Sequence, residues 1–452
     1  MLSVLANRTY RHLFGAQILS LIGTGLTTVA LGLLAYDLAG ADAGQVLGIA
    51  LAIKMIAYVG ISPFAGAIAG LLPRRGLLVT LDIIRAGMVL LLPLVTEVWQ
   101  IYVLVFLFQS CSAAFTPTFQ ATIPDILLDE DDYTSALSLS RLAYDLESLL
   151  SPLLAALALA VISFHWLFVG NAIGFLASGV LVLSVALPAV HTVQRSFMER
   201  LTRGSWIYFN TPRLRGLLAL SFAVAASSAM VIVNTVVIVR AGFGGDEGDV
   251  AWFFAAYGGG SMAVALALPT ILEGRSPRPV MIAGAMALPL LLGMAAFIAD
   301  YWAILTIWTL LGAAASAVQT PAGILLRRSA HPEDRPSLFA AQFALSHTGW
   351  LITYPAAGWL GGNMGMPAAF IVLGIAAAAG ALAALVLWPA HDPDIIEHTH
   401  DEIEHIHPLE AGADHAPPIT ARSKDTLRHR HAAIRHAHPF VIDDHHPVWP
   451  RP

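Results

Sequence analysis

Apolar residues fall in long blocks along the chain. Runs of about twenty or more, bounded by Pro, Gly and charge, lie near residues 13–36, 45–69, 77–97, 100–122, 138–162, 167–189, 214–239, 250–272, 280–299, 302–325, 338–360 and 367–389. Crossing a hydrocarbon core ~30 Å thick takes about 20 such residues, and backbone in lipid must satisfy its own hydrogen bonds. The pattern predicts an all-α membrane protein with twelve transmembrane helices. Arg8 and Arg11 precede the first run, which is longer than a signal-peptide core and lacks a small-residue cleavage site, so a retained helix is expected.

The polar interruptions organise these helices. Residues 190–213, VHTVQRSFMERLTRGSWIYFNTPR, form the longest break between runs and divide them six and six. The expected layout is a first six-helix bundle (1–189), a linker (190–213), a second bundle (214–390) and a tail (391–452). The linker is either a helix on the membrane surface, with Phe197, Trp206, Tyr208 and Phe209 in lipid, or an ordinary connection. FTPTFQATIPDILLDEDD, followed by SP at 151–152, is echoed by VQTPAGILLRRSAHPEDR, followed by YP at 354–355, about 203–204 residues on. Two pseudo-repeats in parallel orientation account for this echo. Basic residues resist translocation. Arg8, Arg11, Arg74, Arg75, Arg195 to Arg215, Arg275, Arg278, Arg327, Arg328 and Arg335 all fall at one end of the bundle, which places both termini in the cytoplasm.

Composition narrows the function. Charged residues make up 12% of the chain and mean hydropathy is +0.71, against about 25% charge in soluble domains. The single cysteine, Cys111, excludes an internal disulfide and argues against thiolate metal chemistry. No nucleophile, acid and base combination stands out, and no dinucleotide fingerprint appears. AYGGGSM at 256–262 lacks the lysine of a phosphate-binding loop and is read as close helix packing or a bend. Neither an enzyme nor a resident cofactor is expected, and no nucleic acid or obligate protein partner. The expected partners are a transported small solute or divalent metal ion, protons and the bilayer.

Charges inside apolar runs are costly in lipid and persist with a partner or a task. Lys54 lies about ten residues into the second run, Arg141, Asp145 and Glu147 lie in the fifth, and His347 in the eleventh. At 1.5 Å per residue, Lys54, Asp145, Glu147 and His347 share a depth near the midplane. Arg141 and Asp145, spaced i,i+4, either neutralise each other or belong to a transport site. Glu147 sits on another face, with Lys54 as the available cation, and such a pair can act as a proton switch. His347 can carry a proton, ligate a transition metal, or serve as a hydrogen-bonded structural residue. Gln17, Gln109, Asn171, Asn234, Gln319 and Gln342 are expected to bridge helices.

On NRTYRHLFGAQILSLIGTGLTTVAL, LLVTLDIIRAG and AAFTPTFQATIPDIL, the chain resembles the major facilitator superfamily over nearly all of residues 1–390, and most of all its drug and siderophore exporters. The family's G-x-L-A-D-R-x-G-R-R loop is partly present as GAIAGLLPRR at 66–75. Gly66, Arg74 and Arg75 match, and Gly70 replaces the aspartate. The resemblance implies a gate at this loop and substrate binding between the halves. Asp82 and Arg85 either pair with the loop arginines when that side closes or form an interfacial ion pair without a switching role.

The tail differs from the body. Residues 391–452 hold twelve of the seventeen histidines, with eleven acids and six basic residues. Low apolar content and recurrent proline predict disorder. His398, His400, His405, His407, His429, His431, His436 and His438 form H-x-H pairs, and His445 adjoins His446. Imidazole with nearby Asp401, Glu402 and Glu404 suits Ni²⁺, Co²⁺, Zn²⁺ or Cu²⁺. A facilitator-type body with such a tail resembles the bacterial nickel and cobalt resistance exporters of the superfamily. That likeness implies proton-coupled efflux of a divalent metal across a bacterial inner membrane, with the tail as collector or sensor. A drug or siderophore exporter whose tail only buffers metal is the alternative.

Overall fold

All twelve apolar runs are helical in the computed structural model, which describes residues 2–39, 43–69, 71–189, 195–392, 395–400, 403–408, 419–422, 426–431, 434–443, 446 and 448–450. In chain order the first six membrane helices are α1 (Arg8–Ala39), α2 (Ala43–Ala69), α3 (Arg74–Leu91), α4 (Val98–Ile126), α5 (Glu130–Leu159) and α6 (His165–Leu183). A short helix, α7 (Phe197–Asn210), leads to α8 (Pro212–Val237), α9 (Glu247–Leu272), α10 (Arg278–Ala295), α11 (Tyr301–Gln319), α12 (Ala322–Arg328), α13 (Arg335–Met364) and α14 (Met366–Leu387). The tenth run is split because Pro321 cannot continue α11 and instead caps α12. Among the described residues, ten helices, counting α11 and α12 as one, are long and apolar enough to cross a membrane. The other two spans are α5, with Arg141, Asp145 and Glu147, and α13, with Gln342 and His347, the helices that carry the expected transport chemistry.

Packing repeats between the halves. In the first, α1 packs on α6 and α5, α2 on α4, and α3 on α6 and α4. In the second, α8 packs on α14 and α13, α9 on α11, and α10 on α14 and α11. The halves then meet through α2 against α13 and α5 against α9. Apolar side chains such as Leu290, Val180 and Ile375 stay exposed because their solvent is lipid.

Polar bridges fix neighbours within each half. Asn171 donates to Thr27 Oγ1 at 2.6 Å, joining α6 to α1, and Asn234 donates to the Ala357 carbonyl at 3.0 Å, joining α8 to α13. Gly260 and Gly312 allow the closest helix contact: a Cβ at Gly260 would lie 1.8 Å from the Thr309 carbonyl, and one at Gly312 would lie 1.8 Å from that of Tyr257. The glycine run in AYGGGSM thus serves close α9–α11 packing. Gly260→Ala must push backbone from backbone, an overpacking cost of about 1–3 kcal/mol. Thermal unfolding in detergent should show a lowered midpoint, whereas Gly259→Ala, with open space around its Cβ, should not.

The linker helix starts at a capping box, in which Ser196 Oγ accepts from Glu199 N at 3.3 Å and Glu199 Oε2 accepts from Ser196 N at 2.7 Å. Phe197 and Phe209 are exposed, whereas Tyr208 is fully buried and donates to Gln342 Oε1. The expectation of Tyr208 in lipid is corrected: its hydroxyl requires a partner, and α13 supplies one. Asp334 accepts from Arg195 at 2.5 Å and Arg203 at 2.9 Å, tying the linker to the start of α13.

Residues 391–452 form a separate unit. Its described residues include β1 (Ile395–His400), β2 (Ile403–Pro408), β3 (Ile419–Arg422), β4 (Thr426–His431) and β5 (Ile434–Pro439). They pair antiparallel, β1 with β5 and β4 with both β2 and β3. After them, Phe440 stacks edge-on against Trp449 and against His446, whose Nδ1 lies 2.9 Å from Asp443 Oδ1.

Candidate functional site

Polar and aromatic groups meet midway along the helices where the halves face each other. On α2, Lys54 Nζ lies 5.6 Å above the ring of Tyr58, one helical turn on. Across the interface, the Tyr58 ring stands edge-on to His347 of α13 at 4.9 Å and 4.8 Å from Phe343. His347 Nδ1 is 2.7 Å from the Phe343 carbonyl oxygen. A carbonyl only accepts, so Nδ1 carries the hydrogen and Nε2 is the nitrogen left for a proton or ligand.

The second strand of the site runs from α5 to α9. Arg141 pairs with Asp145 at 3.1 Å and donates from Nε to Ser261 Oγ of α9 at 2.8 Å. Asp145 is 6% exposed. A buried carboxylate needs such a partner, since desolvation without compensation costs several kcal/mol. The bridge therefore neutralises α5 and also fastens it to the opposite half. Ser140 donates to Gln17 of α1 at 3.0 Å on the adjoining face.

Glu147 points differently. A Cβ at Gly25 of α1 would lie 2.7 Å from its Oε1 and 1.9 Å from Ser151 Oγ, so the carboxylate sits against the first helix. Among the described residues Lys54 forms no salt bridge with it and instead stands over the Tyr58 ring. The expected Lys54–Glu147 contact pair is not among the ion pairs of the described residues. His347, Asp145 and Glu147 likewise do not converge: among the described residues, no three His, Cys, Asp or Glu side chains are placed to hold one metal ion.

At the basic end of the bundle the halves are sealed. Asp125, in the last turn of α4, forms an ion pair with Arg74 of α3 at 2.7 Å and accepts a hydrogen bond from Arg335, the first residue of α13. The exposures of these side chains are 10% for Asp125, 3% for Arg74 and 13% for Arg335. Reciprocally, Arg328 at the end of α12 pairs with Glu130, the first residue of α5, and Arg327 donates to the carbonyls of Leu128 and Asp129. Above this layer Ser62 Oγ donates to the Ala340 carbonyl at 3.0 Å, and Gly66 admits Ala340, whose Cβ would lie 2.5 Å from a Cβ there. Side chain, backbone and glycine together close α2 onto α13.

The gate residues read from the sequence thus separate. Gly66 and Arg74 lie at the seal. Arg75 is exposed and without an ion pair among the described residues, and Gly70 lies outside them. Asp82 and Arg85 do not pair with the loop arginines: Asp82 accepts from Arg85 and, at 2.8 Å, from Ser178 of α6. Arg85 lies over the rings of Phe115 and Phe175 at 4.0 and 4.4 Å, inside the first half. Full burial of Asp82 explains the local pairing, since a loop arginine cannot reach it. Asp125, Tyr58 and Ser261 were not singled out from sequence. A cue for Tyr58 existed in its i,i+4 spacing from Lys54. Of the tail histidines, His445 lies outside the described residues, and the H-x-H pairs occupy strands β1, β2, β4 and β5.

The sequence profile described as Major Facilitator Superfamily matches residues 13–213 and 217–429. No curated protein matches the chain significantly in sequence. Among solved structures, the human organic anion transporter MFSD10 (TETRAN) superposes with a TM-score of 0.73 at 12% identity, covering 83% of this chain and 99% of that one. A variant of the E. coli fucose:proton symporter FucP gives 0.68 at 16% identity, covering 84% and 98%. FucP in the outward conformation gives 0.66 at 15% identity, covering 84% and 99%. These likenesses concern the fold.

Proposed function

The chain belongs to the Major Facilitator Superfamily, and from that membership we propose that this secondary transporter exports a divalent transition metal ion, Ni²⁺ or Co²⁺ in the first place, in exchange for protons. The observation that carries the substrate is the tail, with twelve histidines in residues 391–452. Basic residues gather at one end of the bundle, and we assign that end to the cytoplasm of a bacterial inner-membrane protein. The seal around Asp125 is then the inner gate in its closed state, and the tail is tethered on the inner side. A tethered ligand site raises the local concentration of its ion.

In this reading Lys54, Arg141, Asp145, Glu147 and His347 form the transfer and coupling site. His347 offers Nε2 to the ion, Glu147 exchanges the proton under the field of Lys54, and Arg141 with Asp145 holds α5 to α9. His347 and the acids converge in a state other than the one described. Gly66, Arg74 and Asp125 close the inner side.

A second reading, export of an organic solute with a tail that buffers metal, draws on two observations. Tyr58 and Phe343 make an aromatic wall beside His347, and no three-ligand metal set forms among the described residues. Purified protein in liposomes decides: under an imposed proton gradient, movement of Ni²⁺ or Co²⁺ reported by a trapped metal-sensitive dye is expected. Movement of organic dyes without either metal would overturn the first reading in favour of the second.

A further inference from the structure

One five-residue pattern occurs four times in the tail: IEHTH at 396–400, IEHIH at 403–407, LRHRH at 427–431 and IRHAH at 434–438. Each copy is aliphatic, charged, His, any residue, His. Two copies are acidic and two basic, and each acidic strand pairs with a basic one.

The register is equivalent in both ladders. Between β1 and β5, Ile396 faces His438, His398 faces His436 and His400 faces Ile434. Between β2 and β4, Ile403 faces His431, His405 faces His429 and His407 faces Leu427. Side chains alternate with period two, and opposed residues share a face. One face of each ladder therefore carries four histidines and two aliphatic residues, while the other carries the charges. Glu404 stands opposite Arg430, and Glu397 lies diagonally from Arg435. Opposite charges favour this choice of strands, and a slip of one residue moves every histidine of that strand to the other face.

We propose that the tail binds two divalent transition-metal ions at two equivalent sites, one per ladder, each built on the opposed histidine pair (His398 with His436, His405 with His429) and completed by the flanking His400 and His438, or His407 and His431. This rests on the tail being a metal-binding segment, and adds stoichiometry, grouping and fold. Opposed Cβ atoms in a ladder lie about 4.5–5.5 Å apart, and a metal–imidazole bond is about 2.0–2.1 Å. Opposed register positions are therefore close enough for one ion to be shared between them, with a third histidine two positions along the strand. Four imidazoles without thiolate suit Ni²⁺, Co²⁺, Zn²⁺ or Cu²⁺.

The test is calorimetric titration of the full-length, chelator-stripped protein with Ni²⁺ alone. About two tail-dependent equivalents are expected, falling to about one in His398→Ala with His436→Ala, and to about one in His405→Ala with His429→Ala. Joining His398→Ala with His405→Ala should weaken both sites. Equal, graded losses for every pair, regardless of ladder, would overturn the register-based sites while leaving a metal-binding tail. Unchanged Ni²⁺ binding after alanine replaces all eight histidines would overturn the metal-binding tail itself.

Discussion

Asp125→Ala should open the inner gate. The carboxylate lies between two arginines, one of them almost wholly buried. Removing it leaves both charges without that partner in the closed state, at about 3–5 kcal/mol for a buried ion pair. Arg328 and Glu130 are more exposed, at 24% and 41%, and such a pair is worth about 0–1 kcal/mol. The gate thus depends on Asp125 far more than on Glu130. In a Cys111→Ser background, Ser337→Cys next to Gly66 reports closure by thiol labelling from the inner side. Asp125→Ala should raise labelling about a hundredfold or more, as a bias of that size implies, with transport reduced. Glu130→Ala should change it severalfold at most. Equal labelling in the two variants would refute Asp125 as the hub of the seal.

Glu147→Gln should reduce proton-driven uptake into vesicles to the level of vesicles without protein, while exchange of substrate down its own gradient continues. Glutamine keeps the shape against Gly25 and Ser151 but cannot give up a proton, so packing and proton exchange are separated. An acid inside a membrane helix with no ion pair among the described residues is set apart from Asp145, whose charge is already balanced by Arg141. Lys54→Met should act on the same step, shifting the pH dependence of transport. Asp145→Asn instead should loosen α5 from α9 and slow downhill and uphill transport alike. Uphill transport by Glu147→Gln at the original rate would remove Glu147 from coupling.

The twelve spans were legible because lipid imposes one rule on every helix, and the six-and-six division because one polar stretch is unlike the others. The charged midplane residues were legible for the same reason, as exceptions in apolar runs. Their pairing was not. Helical spacing found Arg141 with Asp145, since both lie on one helix, but it left open whether Asp82 and Arg85 answer the loop arginines or form an ion pair of their own, and the ion pair is what forms. Asp125 escaped notice because it stands in PDILLDEDD among acids of the same appearance, and Arg335 is 210 residues along the chain. Ser261, inside a glycine run, carried no sign that Arg141 would meet it.

The two ion-pair bridges at the sealed end also govern how the halves recognise each other. Asp125 ends the fourth helix of the first half and Arg328 the corresponding helix of the second; Glu130 and Arg335 begin the fifth helix of each. Both acids of these bridges belong to the first half and both arginines to the second. Two identical halves would set acid against acid or arginine against arginine at both positions. Each half is therefore complementary to the other and repellent to a second copy of itself. Co-expressed as separate chains, the halves should assemble as unlike pairs and discriminate against like ones.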